Sequence, residues 1–120
     1  MQQGRFYIQQ RCLWRDVRVM KYFPQRLVGM LYLRATSHQR AFWFPRCKSI
    51  HTWGMRFAID IIGLDSQLRI VAVHRNVQPA RVLRIAGADS IIECGAGSPW
   101  PFEHWLGQSL TFEQKELCYE

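Results

Sequence analysis

The sequence contains no run approaching the ~18 apolar residues that a membrane-spanning helix needs, so no such span is expected. Its first residues, Met1-Gln2-Gln3-Gly4-Arg5, lack the apolar stretch of about 7–15 residues that precedes a secretory cleavage site. Cytoplasmic localisation is therefore expected. Cysteine is sparse and scattered. None of Cys12, Cys47, Cys94 and Cys118 stands in a C-x-x-C pair, which argues against a zinc knuckle or a thioredoxin-type centre. The default is free thiols, mostly buried, in a reducing compartment. Acidic residues are scarce early: the first 85 positions hold three, against 15 Lys and Arg. Yet no basic run exceeds two residues, so the dense cationic clusters of many nucleic-acid-binding segments are missing. Repeats and low-complexity linkers are also lacking.

What is present is enough for one folded domain spanning 1–120. The chain is 48% hydrophobic and 13% aromatic over 120 residues, sufficient to bury a core. Net charge is +7, and 13 of the 16 basic residues are Arg, which favours planar anionic partners. After position 85 the balance inverts, with Lys115 the one basic residue against six acidic ones. The basic surplus can meet an acidic protein surface, an anionic ligand, nucleic acid or the acidic tail.

β-branched and aromatic residues predict strands at 5–10, 17–20, 41–44, 57–64, 68–74, 90–94 and 109–112. Asp65-Ser66-Gln67 predicts a turn in which Asp65 bonds its own backbone two residues on. Pro24 followed by Leu27, Met30 and Leu31 predicts a helix over 24–33, and Pro99–Leu106 predicts one or two further helical turns. The expected fold class is α+β: a mainly antiparallel, curled, barrel-like sheet with one or two short helices.

The densest chemistry lies between Cys47 and Asp60. Cys47, Ser49, His51, Thr52, Trp53, Met55, Arg56 and Asp60 gather a thiol, hydroxyls, an imidazole, an indole, a thioether, a guanidinium and a carboxylate in 14 residues. They occupy a loop that runs into an apolar strand, and rigid sheets commonly hold functional loops of this kind. Asp60 interrupts that strand and Glu93 interrupts another. Each buried carboxylate needs donors: Arg56, Arg69 or His74 for Asp60, and an Arg of the basic half for Glu93. The Gly95-Ala96-Gly97 turn follows Glu93, and its glycines permit close backbone approach.

The string C-x-S-x-H-T-x-G-M-R-F-x-I-D over Cys47–Asp60 resembles the core of the domain-of-unknown-function 192 family. Arg26-Leu27-Val28-Gly29-Met30 resembles that family's upstream R-x-x-G-L/M. Gly63-Leu64-Asp65, Pro79 and Ile92-Glu93-Cys94-Gly95-Ala96-Gly97 resemble its later motifs. The resemblance spans about residues 17–112 and is to the cytoplasmic type. Three positions depart from the pattern: Ala58 replaces a proline, Gly95 replaces the proline of P-A-G, and Gln108 replaces an aspartate after Gly107. The resemblance implies a small β-rich domain with an accessory role and no established activity.

Four readings follow from these residues. The preferred one is a non-catalytic binding or accessory domain. Cys47, Ser49, His51, Thr52, Trp53, Met55, Arg56, Asp60, Glu93 and Gly97 would surround an anionic small ligand or an acidic protein surface. A second is a small enzyme in which His51, oriented by Asp60, activates Cys47. A third sets basic Arg40, Arg46, Lys48 and Arg56 beside Phe42, Trp43, Phe44 and Trp53 for stacking on single-stranded nucleic acid. A metal held by Cys47, His51, Asp60 and Glu93, with His74 in reach, is the fourth, but local spacing assembles no complete ligand set. No cofactor or metal is expected. Plain structural roles compete at each position: Asp60 as a satisfied carboxylate, Met55 as core filler, and Trp43 and Trp53 as core aromatics.

Overall fold

The computed structural model describes residues 2–21, 38–52 and 57–115. Among the described residues nine strands form: β1 (Gln2–Ile8), β2 (Arg11–Val19), β3 (Arg40–Phe44), β4 (Ser49–His51), β5 (Ile59–Leu64), β6 (Ile70–Val77), β7 (Val82–Arg84), β8 (Ser90–Gly95) and β9 (Thr111–Gln114). Seven make one sheet, ordered β6-β5-β8-β3-β2-β1-β9, while β4 and β7 make a separate two-stranded ribbon. All pairings are antiparallel except β2 with β3.

The α+β, barrel-like expectation is overturned. Among the described residues the sole helical element is a 3-10 turn, Phe102–Trp105. Pro101 stands at its start, and Leu106, with ψ of 130°, ends it after four residues. The sheet is open, with β6 and β9 as its edges. Among the described residues, backbone bonds around the Arg69–Ser109 bridge join 68–70 to 107–110, but β6 and β9 themselves do not pair. The helix expected over 24–33 lies outside the described residues.

Strands β5 and β8 are buried at every position. Each is an apolar run covered on both faces, which explains why neither shows polar alternation. One face carries Phe6, Trp14, Val17, Ile62, Leu64, Ile92 and Phe102. The other carries Met20, Phe42, Phe44, Ile59, Ile61, Ile85 and Ile91. The ring of Trp14 stacks on Phe102 with centroids 5.5 Å apart, and Phe6 meets Trp43 edge-on at 5.1 Å. Gly4 admits this packing, because a Cβ there would lie 2.4 Å from both the Phe112 ring and the Glu113 carbonyl oxygen.

Strand β2 begins well before the expected position 17, because a hairpin turn at Gln9-Gln10 precedes it. Both glutamines adopt left-handed φ, 49° and 71°. A turn of this hand usually uses Asn-Gly, so Gln-Gln gives little warning of it. The β5–β6 turn forms as expected, with Asp65 Oδ1 accepting from the Gln67 and Arg69 amides at 2.9 Å each.

Candidate functional site

The segment 47–52 is built against 78–89. Strand β4 pairs with β7 through Ser49–Arg84, Ile50–Leu83 and His51–Val82. Ile50 fixes the ribbon to the second apolar face. Thr52, 1% exposed, locks its end. The Thr52 hydroxyl donates to the Gln78 carbonyl at 2.9 Å and accepts from the Arg81 amide at 2.8 Å. Its backbone N–H donates to the Arg81 carbonyl, and its carbonyl accepts from the Ala80 amide. A hydroxyl that both donates and accepts suits this corner, where Ala80 has φ of 63°.

Cys47 is half-buried, and its thiol donates to the Ser49 carbonyl at 2.9 Å. Ser49 is exposed. His51 occupies a strand position opposite Val82. Trp53, Met55 and Arg56 lie outside the described residues. Arg46, Lys48, Arg81 and Arg84 are exposed around the ribbon. No Asp or Glu occurs in 46–52 or 78–85, and among the described residues none of these four cations forms an ion pair.

Asp60 sits elsewhere, at the heart of a different assembly. Its neighbour β6 carries an extra residue: Ile59 pairs with Val77 and Ile61 with His74, so Asp60 faces both Arg75 and Asn76. Such a bulge re-aims a side chain. Asn76 takes a φ of 52°, and its amide donates to Asp60 Oδ1 at 2.9 Å. Arg75 Nη1 donates to Oδ2 at 2.9 Å, as does the Ser98 amide at 3.1 Å. The remaining Arg75 donors meet both Glu103 oxygens and the carbonyls of Ser98 and Trp100. Phe102 lies under the guanidinium, 5.0 Å from its carbon to the ring centroid. All five Arg75 N–H groups are thus spent. The same hydrogen bonds pull the Glu103 carboxyl down to about 2. Asp60 takes neither Arg69 nor His74 as its ion-pair partner; Arg69 pairs with Asp65 at 2.7 Å instead.

Glu93 is on the opposite face of the sheet. It pairs with Ile61 and Phe42, whereas Asp60 pairs with Cys94. It is fully buried, and neither carboxyl oxygen has a partner among the described residues. Burial alone pushes its pKa up to about 8. The expected pairing with an Arg of the basic half therefore does not form among the described residues. Gly97 has φ of 84°, which its turn requires, and open space beside its Cα.

The structure thus brings Asp60 to the segment after Gly97, groups Cys47, Ser49 and Thr52 on the ribbon, and separates Glu93 from both. Phe42 and Phe44 are 4% and 3% exposed, and Trp43 packs on Phe6 and Phe112, so these aromatics are core elements. Among the described residues no group of three metal-ligating side chains occurs, and no helix is long and apolar enough to cross a membrane. Arg75, Arg81 and Arg84 were not singled out by sequence reasoning. A bulge hid the first and an unrecognised ribbon the other two.

The family model for DUF192, described as an uncharacterised ACR, matches residues 6–106. The chain belongs to the DUF192 family. The match includes the Cys47–Asp60 string, Arg75 and Glu93. No curated protein matches this DUF192 chain. Two solved structures share its fold. One, from Sinorhizobium meliloti 1021, is described as a "putative transcription regulator"; it is 16% identical, with a TM-score of 0.69, covering 94% of this chain and 92% of that one. The other, a protein of unknown function from Novosphingobium aromaticivorans DSM 12444, is 14% identical, with a TM-score of 0.72, covering 91% and 83%.

Proposed function

We propose that this DUF192 chain is a non-catalytic binding or accessory domain of the cytoplasm that recognises an acidic protein surface through the β4–β7 ribbon. The observation that carries this reading is the cation set Arg46, Lys48, Arg81 and Arg84, exposed on and beside the ribbon with no ion-pair partner among the described residues, against one nearby acid, Asp89, whose carbonyl accepts from the Cys47 amide. Unpaired cations on a rigid support lose little freedom on binding and steer an oppositely charged partner. Val82, 68% exposed between Arg81 and Arg84, adds apolar contact. Of the residues in the Cys47–Asp60 string, Thr52 and Ile50 hold the ribbon's shape, Cys47 and Ser49 bridge its entry, and Asp60 anchors the strand that follows. The unpaired thiols of Cys12, Cys47 and Cys94 suit a reducing compartment.

The test uses a labelled poly-glutamate peptide, with single-stranded DNA as the second probe, at ~0.1 M salt. Reversing Arg81 and Arg84 to Glu is expected to abolish peptide binding, while reversing Arg15 and Lys115 leaves it. Equal losses from both double variants would reduce the effect to net charge and overturn the reading. So would tighter, ribbon-dependent binding of DNA, the outcome that the description of the Sinorhizobium protein would favour.

A further inference from the structure

The second cation cluster lies on the outer face of β1, β2 and β9, away from the ribbon. Its origin is a bulge. Gly4 pairs with Val17 and Phe6 with Trp14, so Arg5 alone faces two residues of β2, Arg15 and Asp16. The extra residue breaks the alternation of β2: Leu13 and Trp14 are both buried, and Arg15 and Asp16 both turn outward. Arg18, opposite Gln3, follows on the same face, and Lys115 comes alongside as its amide donates to the Gln3 carbonyl. The result is a recess of about 190 Å³ lined by Arg5, Arg15, Arg18 and Lys115, with Gln3, Gly4 and Asp16 completing it.

The charges in the recess are unequally committed. Asp16 is saturated by Arg18 at 2.9 Å and Arg40 at 2.8 Å. Arg5 lies against Tyr7 and faces Glu113 across the β1–β9 ladder. Arg15 and Lys115 have no ion-pair partner among the described residues. Among the described residues, four cations therefore line one concavity whose single lining carboxylate, Asp16, is already neutralised, with Glu113 opposite Arg5 at its margin. A recess of about 190 Å³ has room for a phosphoryl or pyrophosphoryl group together with water. Guanidinium forks match phosphate oxygens bidentately, and three forks with an ammonium suit a dianion better than a single carboxylate.

We infer that this recess is a phosphoryl-binding site, built by the β1–β2 bulge and distinct from the ribbon. Asp16 limits its affinity by holding Arg18 and Arg40. The site accepts the phosphoryl group of a free phosphorylated compound or of a nucleic-acid backbone, and the experiment separates these sources.

The probe is pyrophosphate, titrated calorimetrically into the full chain at ~0.1 M salt, with variants first matched to wild type by thermal unfolding. Arg15 and Lys115 are exposed, so Arg15→Gln and Lys115→Gln are expected to fold. Wild type should bind one equivalent saturably. Each substitution should weaken binding about tenfold, the loss of one charge-assisted contact. Asp16→Asn should tighten it, because two guanidiniums are released. Single-stranded DNA that competes better than pyrophosphate, with the same dependence on Arg15, assigns the site to a nucleic-acid backbone; weaker competition assigns it to a free phosphorylated compound. Non-saturable uptake, indifference to Arg15→Gln and Lys115→Gln, weaker binding in Asp16→Asn, or an equal loss in the Arg81→Glu, Arg84→Glu variant would overturn the inference.

Discussion

Replacing Arg75 with Met removes a cation while keeping an unbranched side chain. Asp60, whose side chain is 1% exposed, would keep its two main-chain donors from Asn76 and Ser98 but lose its guanidinium. Removing one partner of a buried ion pair costs about 3–5 kcal/mol, chiefly because the other charge is left uncompensated. Arg75 is 29% exposed on its side chain, so water can reach part of the gap and the expected cost is roughly 2–4 kcal/mol. The outer half of the assembly is worth less: Glu103 is 49% exposed, and Glu103→Gln should cost at most about 1 kcal/mol. The decisive comparison is Asp60→Asn combined with Arg75→Met. With the buried charge gone, the double variant should recover about 1–3 kcal/mol relative to the sum of the singles. Urea unfolding followed by tryptophan fluorescence at neutral pH gives the stability of wild type and of each variant. Additive singles, or an Arg75→Met cost no larger than that of Glu103→Gln, would refute the view that Arg75 neutralises a buried Asp60.

Glu93 gives a pH signature of the opposite kind. Its carboxyl is raised from 4.5 to about 8, so the folded state holds the proton more tightly than the unfolded chain. This stabilisation is complete below about pH 4.5 and is lost as pH rises through about 8. Glu93→Gln should therefore remove a stability loss of roughly 2–4 kcal/mol between pH 5 and 8, at about 1.4 kcal/mol per pKa unit; identical pH slopes for variant and wild type would refute it. Thr52→Val keeps the shape but deletes both hydroxyl bonds at the ribbon's end. A cost of about 1–3 kcal/mol, with faster amide exchange at Arg81, is expected, and unchanged exchange there would contradict the locking role.

Legibility in the sequence followed periodicity. The β5–β6 hairpin, β3 and β8 stood out because Ile, Val and Phe cluster there and Asp65 signals its own turn. The pairing of β4 with β7 left no such signal. Each strand has three residues, and their contact joins segments about thirty positions apart. Asp60 was legible as an oddity, but its partner was not. The inserted residue at Arg75–Asn76 changes which side chain faces which strand, and no alternation rule anticipates that. The same failure hid the cation recess, where a bulge gathers Arg15 with Arg5 and Arg18. The separation of Glu93 from Asp60 needed only strand register, which a sequence does not supply.

Strand β9 lies on β1 with Gly4 opposite Gln114 and Arg5 opposite Glu113, so Gln3 and Lys115 meet at one end of that ladder. Force applied between those two points would load a single rung at a time. The ladder would peel open progressively, as a zipper does, and would never be sheared all at once. Antiparallel edges held this way yield at low tension, so a peeling β9 would carry Lys115, the residue after it, out of the recess.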